Sequence, residues 1–296
     1  MKIFVGNEKA KMGRFIGCLL ALPLLVASAY ADPILGVPLS GFAILGSSTV
    51  TNTPTATIDG NVGVWSSGGA NAITGFNSSL GLAVADPQVT GTVQAGTADA
   101  QLAQSELTIA INALEGMAAG STPESTLGGL KLAPGVYSST STMDLTGTLT
   151  LDGQGNSNAL WVFLVGSSLT TASSSDVIVE NSGANAGVFW VMETASATLG
   201  SNSTFEGNIL ASASITVGTN VTDSCGRALA STAAVTLDGT DTIGIGCSGG
   251  GTLNPQTGKI TPLPASTVPE PSSFWFLALC LAGLAIQQKR SRMRRH

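Results

Sequence analysis

The chain has 296 residues, of which 43% are hydrophobic and only 10% charged; 18 acids oppose 12 Lys and Arg, and there is one histidine. Nine of the basic residues (Lys2, Lys9, Lys11, Arg14, Lys289, Arg290, Arg292, Arg294, Arg295) lie in the tails, so from Asp32 to Val268 16 acids face only Lys131, Arg227 and Lys259, a balance of −13. So acidic a body excludes nucleic acid and other polyanions as partners.

Taken in order, the chain opens with basic residues up to Arg14, an apolar run from Phe15 to Val26 and the small-residue exit Ala29-Tyr30-Ala31. These parts compose a signal peptide over 1–31, with cleavage expected before Asp32. The apolar run is too short for a membrane-spanning helix. Phe42-Ala-Ile-Leu45 and Ser48-Thr-Val-Thr51 then read as strand, and Thr57-Ile-Asp-Gly60 has the form of Thr150-Leu-Asp-Gly153 further on. From Thr97 the period changes: Ala103, Leu107, Ala110, Leu114 and Met117 recur at steps of four and three, the stripe of an amphipathic helix. Its expected span is about 97–118. Thr97 can cap it, Asp99 suits the positive end of its dipole, and Gln101, Gln104, Ser105, Thr108, Asn112 and Glu115 lie off the stripe. One side of a sheet structure is the surface such a helix would cover. Leu127 to Tyr137 returns to strand.

A short pattern then repeats five times: Thr150-Leu-Asp-Gly, Thr170-Thr-Ala-Ser, Thr198-Leu-Gly-Ser, Thr216-Val-Gly-Thr and Thr236-Leu-Asp-Gly, at spacings of 20, 28, 18 and 20 residues. A period near twenty, rich in Thr, Ser, Gly and β-branched residues, predicts stacked turns of a β-solenoid, the interval of 28 being a turn with an extra loop. Four of the five second positions (Leu151, Leu199, Val217, Leu237, against Thr171) are apolar and point inward, so the leading threonines point out. Stacking places those threonines in a column.

Residues 249–267, with Pro255, Pro262 and Pro264, read as a flexible spacer. Val268, Pro269, Glu270 and Pro271 are followed by an apolar stretch from Phe274 to Ile286 and then by five basic residues. That order resembles the PEP-CTERM sorting signal of exported bacterial proteins. The resemblance implies a membrane segment at 274–286, processing by an exosortase-type enzyme near the Pro-Glu-Pro, and a destination at the cell surface, outer envelope or extracellular matrix. Export leaves Cys225 and Cys247 in the mature chain, and their pairing is expected; the closed loop of about 20 residues would stabilise by roughly 3 kcal/mol in the chain-entropy picture.

The chemistry of catalysis is thin. His296, in the tail, is the only histidine, so the body has no Ser-His-Asp or Cys-His device and no histidine metal site, and two isolated cysteines cannot complete a zinc set. Asp152 and Asp238 could serve as a carboxylate pair on a polysaccharide only if they flanked one bond, and acids at solvated corners explain them as well. Asp152-Gly-Gln-Gly-Asn-Ser-Asn158 has too few acids for a calcium loop and suits a turn. Trp161 and Trp190 lie in apolar runs that predict burial, and Trp65 could instead stack on a sugar. No enzyme activity, metal or cofactor is expected.

The order of Phe-Ala-Ile-Leu-Gly-Ser-Ser-Thr-Val-Thr at 42–51, a helix, Leu-Ala-Pro-Gly-Val-Tyr at 132–137, Leu-Thr-Gly-Thr-Leu-Thr-Leu-Asp at 145–152, Phe-Glu-Gly-Asn-Ile-Leu-Ala at 205–211 and Gly-Arg-Ala-Leu-Ala at 226–230 resembles the microbial ice-binding proteins. The resemblance covers roughly Ile34 to Cys247, nearly the whole of the domain expected over 32–248. It implies a mainly β fold: a right-handed, discontinuous, triangular β-solenoid (β-helix) with the N-terminal segment inserted between later turns and one long α-helix packed alongside. It also implies a flat face that binds the ice crystal surface. Some members carry there a loose motif of Thr, Ala or Gly, any residue, then Thr or Asn; the matching positions are Thr171 to Ser174, Gly200 to Asn202 and Gly218 to Asn220. The expected contact set is therefore Thr171, Ser173, Ser174, Ser201, Asn202, Thr219, Asn220 and Thr240, with the leading threonine column as its rival and with Asp152 and Asp238 placing charge on or near the face. The alternative is a structural or adhesive matrix protein that keeps the fold without ice activity.

Overall fold

The computed structural model describes residues 32–53, 55–66, 71–117, 125–183, 185–246, 251–254 and 259–262. The signal peptide, the sorting signal with Val268, Pro269, Glu270 and Pro271, and Cys247 lie outside them. Most strands pair in parallel and fall into three columns, so that successive short strands of one turn cross three faces. One turn, for example, runs through Gly187–Met192 on the first face, Ala197–Leu199 on the second and Thr204 on the third before Asn208–Ala211 reopens the first.

Down the first face the strands follow chain order through Gly135–Ser139, Leu160–Val165, Gly187–Met192, Asn208–Ala211 and Arg227–Ala230. The next strand is Phe42–Gly46, then Asn61–Val64 and Val93–Ala95. The solenoid is discontinuous, as expected. The N-terminal turns, however, extend the end of the stack beyond Arg227–Ala230 and are not inserted between later turns. Arg227 helps to hold that junction: its buried guanidinium donates to Asn208 Oδ1 at 2.6 Å and to the Ser40 carbonyl at 2.9 Å.

The central first-face strands Leu160–Val165, Gly187–Met192, Asn208–Ala211, Arg227–Ala230 and Phe42–Gly46 are buried along their whole length, which explains the unbroken apolar runs at 160–165 and 187–192. Their inward side chains form the solenoid core, where Phe163 stacks on Trp190 with centroids 4.0 Å apart and Tyr137 and Phe205 extend the pile. Trp161 and Trp190 are fully buried, as their surroundings predicted. The outward side chains Leu160, Val162, Leu164, Phe189, Val191, Leu210 and Leu229 pack against the long helix Ala98–Glu115. Trp65 packs on this layer too.

That helix starts where the cap residue says it should. Thr97 is extended and its hydroxyl accepts from the Ala100 amide at 3.1 Å. Ala103, Leu107, Ala110 and Leu114 are buried on the first face, and Met117 packs beside them. Gln104, placed off the stripe by sequence, is buried as well, because its amide donates to the Ala230 carbonyl at 3.1 Å. A short helix, Val37–Ser40, lies against the long one, and Glu106 accepts from the Leu39 amide at 2.8 Å.

The stretch expected to be a flexible spacer holds two strands. Gly251–Asn254 pairs antiparallel with Lys259–Pro262 on one edge and with Asp32–Pro33 on the other. Backbone pairing supplies what apolar content could not announce.

Candidate functional site

The second face has seven strands in the order Met143–Leu145, Leu169–Thr171, Ala197–Leu199, Ile215–Val217, Val235–Leu237, Thr49–Asn52 and Ala72–Thr74. In the first six, one side chain points out between two buried neighbours, and in Ala72–Thr74 the outward Thr74 follows the buried Ile73. The outward residues are in register as Asp144, Thr170, Thr198, Thr216, Thr236, Thr51 and Thr74. Six consecutive threonines at an inter-strand spacing near 4.8 Å span about 24 Å. Thr170, Thr198 and Thr74 are exposed, the other three half-buried. Two of the six, Thr51 and Thr74, come from the N-terminal turns and lie outside the repeat, because the stack order joins residue 237 to residue 52. On the upstream flank Ser196 and Ser214 bond hydroxyl to hydroxyl at 3.0 Å.

The leading position of the first repeat copy needs correction. Thr150 is not in this column: it pairs with Ile178 and Lys131 on the third face, and Asp144 takes the place that the repeat pattern gave to Thr150. Asp152 goes with Thr150 to the third face, so it is not the counterpart of Asp238 and places no charge on the second face.

Most of the other expected contact residues gather along the corner that leads from the second face to the third. Ser173, Ser174, Asn202, Thr219, Asn220 and Thr240 are exposed there, and Ser201 is half-buried. Ser174, Asn202 and Asn220 share the left-handed conformation, with φ of 59°, 59° and 62°, which asparagine tolerates better than most residues. The Asn of the motif is thus a turn residue first. Asn220 Nδ2 donates to Asn202 Oδ1 at 3.0 Å, and Thr219 Oγ1 donates to the Asp238 carbonyl at 3.1 Å, which ties neighbouring corners together. Gly200 is required for closeness: a Cβ there would lie 2.4 Å from the Ala172 carbonyl carbon.

Thr171 is the exception. It occupies the inward second position, is 4% exposed, and its hydroxyl accepts from the Gly200 amide at 2.8 Å. It cannot touch anything outside the protein; the inward register of Leu199, Val217 and Leu237 outweighs the motif match. Below the corner, Ser175, Ser203 and Asp241 are buried, and they bond to the Leu145 and Ala172 carbonyls and to the Val221 amide. This inner ladder stiffens the edge of the second face.

The third face also carries threonines in register, Thr204, Thr222, Thr242 and Thr57, but it continues into Asp176. Its end is ionic. Lys131 Nζ lies 3.0 Å from Asp152 Oδ2 and 2.7 Å from Glu180 Oε1. The Asn181 amide, the Gln154 N–H and Lys131 together hold the Asp152 carboxyl down to about 2. All these groups keep water bound to charge. By contrast, among the described residues the charges on the second face are Asp144 at one end and Asp238 on its flank.

Where the third face turns back to the first, burial pushes the Asp223 carboxyl well up, with the Glu206 charge adding to it, and burial also raises Glu206. Arg227 beside them is lowered to about 10 by burial. The three groups are wedged in packing. Among the described residues no cluster of three or more His, Cys, Asp or Glu could hold a metal ion, and no helix is long and apolar enough to cross a membrane.

Residues 44–243 match the ice-binding-like family. The chain belongs to that family. It is 42% identical over 243 residues to an ice-binding protein of Nostoc sp. (strain HG1), covering 82% of this chain and 83% of that protein. It is 33% identical over 213 residues to an ice-binding protein of Flavobacterium frigoris (strain PS1), covering 67% and 71%. Among solved structures, an ice binding protein from an Antarctic biological consortium superimposes with a TM-score of 0.62 at 33% identity, over 72% of this chain and 90% of that one. Residues 267–290 match the PEP-CTERM protein-sorting motif.

Proposed function

We propose that the protein adsorbs to ice through the second face, with the threonine column Thr170, Thr198, Thr216, Thr236, Thr51 and Thr74 at its centre and the corner residues Ser173, Ser174, Ser201, Asn202, Thr219, Asn220 and Thr240 as its border. The observation that carries this reading is the register: six outward threonines on a parallel sheet, five of them between two buried neighbours that fix their height. Ice presents a flat lattice of oxygens and no charge, so its partner needs a rigid surface of hydroxyls and methyls at regular spacing. Charge binds liquid water more firmly than such an array does. The first face is covered by the helix and the third is ionic at one end, so the second face fits best. The test is ice recrystallisation inhibition by residues 32–268, compared with the same chain carrying Thr198→Tyr.

The sorting motif supports export to the surface or surroundings of a bacterial cell, with removal of the tail by an exosortase-type enzyme near Pro269-Glu-Pro271 and transient membrane attachment through 274–286. The parts of the leader at 1–31 support cleavage before Asp32. Cys225 is disulfide-bonded, which supports pairing with Cys247 in that oxidising setting. The role is one of adsorption rather than catalysis, in keeping with the family. A matrix protein without ice activity would not require the threonine register.

A further inference from the structure

Six large apolar residues are exposed among the described ones, and three of them lie on the two helices that pack together: Val37 at 70%, Leu102 at 54% and Ile109 at 48%. Leu102 and Ile109 are seven residues apart on the long helix, on one side and about 10 Å from each other. Glu106 lies on the same side midway between them, and it is onto Glu106 that the short helix with Val37 is fastened through the Leu39 amide. The three side chains therefore surround one spot on the outer surface of the helix layer. Nothing in the core of the domain calls for them, and clustered exposed apolar groups mark a place that something covers.

The chain brings a candidate to this spot. Lys259–Pro262 contacts the long helix, and it is the last described strand before the sorting signal. Eleven residues separate Pro262 from Phe274. Fully extended they reach roughly 35–40 Å, whereas the 18-residue helix is about 27 Å long. The apolar stretch Phe274 to Ile286, which includes Trp275 and Phe276, can thus reach every point of the helix from where its leash begins. Its own composition, uncharged throughout, matches an apolar seat and not the acidic remainder of the surface.

We propose that the patch around Val37, Leu102 and Ile109 seats the apolar stretch 274–286 of the unprocessed chain in water, and releases it when a membrane offers a better solvent. The patch would serve the sorting step, by keeping the apolar tail from self-association, and it does not depend on the ice-adsorption reading.

The experiment uses the chain from Asp32 to His296 in detergent-free buffer. Acrylamide quenching of Trp275 is read as the difference between the parent and its Trp275→Phe form, which cancels Trp65, Trp161 and Trp190. The expected result is a blue-shifted, weakly quenched Trp275 in the parent, independent of protein concentration. Quenching should become several-fold stronger in Leu102→Gln/Ile109→Gln, and likewise in Val37→Gln, with the melting temperature little changed because Gln suits a helix and sets no like charge beside Glu106. Equal quenching in parent and variants would overturn the proposal. Protection that disappears on dilution would overturn it too, since it would assign the patch to a second copy of the chain.

Discussion

Replacing Thr198 by Tyr places a ring in the middle of the column, between Thr170 and Thr216. A flat lattice held off by that ring loses contact with Thr198 and with both neighbours, a strand spacing of about 4.8 Å to either side. Counting one methyl for each of the three threonines at about 0.8 kcal/mol, the loss is about 2.4 kcal/mol, or on the order of fifty-fold in the concentration needed for a given effect. Stability should hardly move: Tyr is a good strand residue and surface changes usually fall within about 0.5 kcal/mol. For a domain of this size that is a shift of roughly 1–2 °C. The assay is the end-point concentration for ice recrystallisation inhibition, beside a calorimetric melt. Thr222→Tyr, the same change on the third face, is the control and should leave the end point alone. If Thr222→Tyr abolishes activity and Thr198→Tyr does not, the wrong face has been chosen.

Removing charge should have the opposite sign: Asp144→Thr lengthens the column to seven, and Asp238→Thr clears its flank, so each should lower the end-point concentration, and an unchanged or higher value would count against the role given to charge. The inward position of Thr171 predicts that Thr171→Val, which strips the Gly200 amide of its acceptor, costs about 1–3 kcal/mol, while Thr170→Val is near neutral; equal melting temperatures would contradict the register. For pH, the raised carboxyls of Asp223, Glu206, Asp241 and Glu115 share burial as their main cause. An acid whose pKa is raised on folding disfavours the fold when ionised, so stability is gained as pH falls from neutral through the folded pKa values. Asp152, held low by the Asn181 amide, the Gln154 N–H and Lys131, runs the other way: its contribution is present above its ordinary value of 3.8 and is lost as pH falls from there through about 2. The melting temperature should thus be higher at mildly acidic pH than above neutrality, and Asp223→Asn should flatten that slope; a melt that is lower in mild acid would refute the assignment.

The helix was legible almost to the residue, because a stripe at steps of four and three has few other readings, and Thr97 marked its start. Gln104 was misplaced, since a buried amide that finds a carbonyl looks like a surface residue in a sequence. The repeat was legible as a period but not as a face. Thr148-Leu-Thr-Leu-Asp152 alternates just as Ala197-Thr-Leu199 does, and period two holds on the second and third faces alike, so Thr150 was set in the wrong column. The junction of residues 235–237 with 50–52 rests on backbone pairing between segments far apart in the chain, which local pattern does not encode. The corner was found through Asn202 and Asn220, although the left-handed turn accounts for those residues before any ligand does. The strands at 251–254 and 259–262 were hidden for a similar reason: their partner, Asp32–Pro33, stands at the other end of the domain sequence.

Ice adsorption itself is tested most directly by partition. A polycrystalline ice shell is grown slowly through a dilute solution of residues 32–268, and the protein in the ice is compared with that left in the liquid. An adsorbing second face predicts that the ice takes up the protein at or above its share, and that the Thr198→Tyr chain is largely left behind. Rejection of the unmodified protein into the liquid, to the same degree as an unrelated soluble protein, would contradict the account.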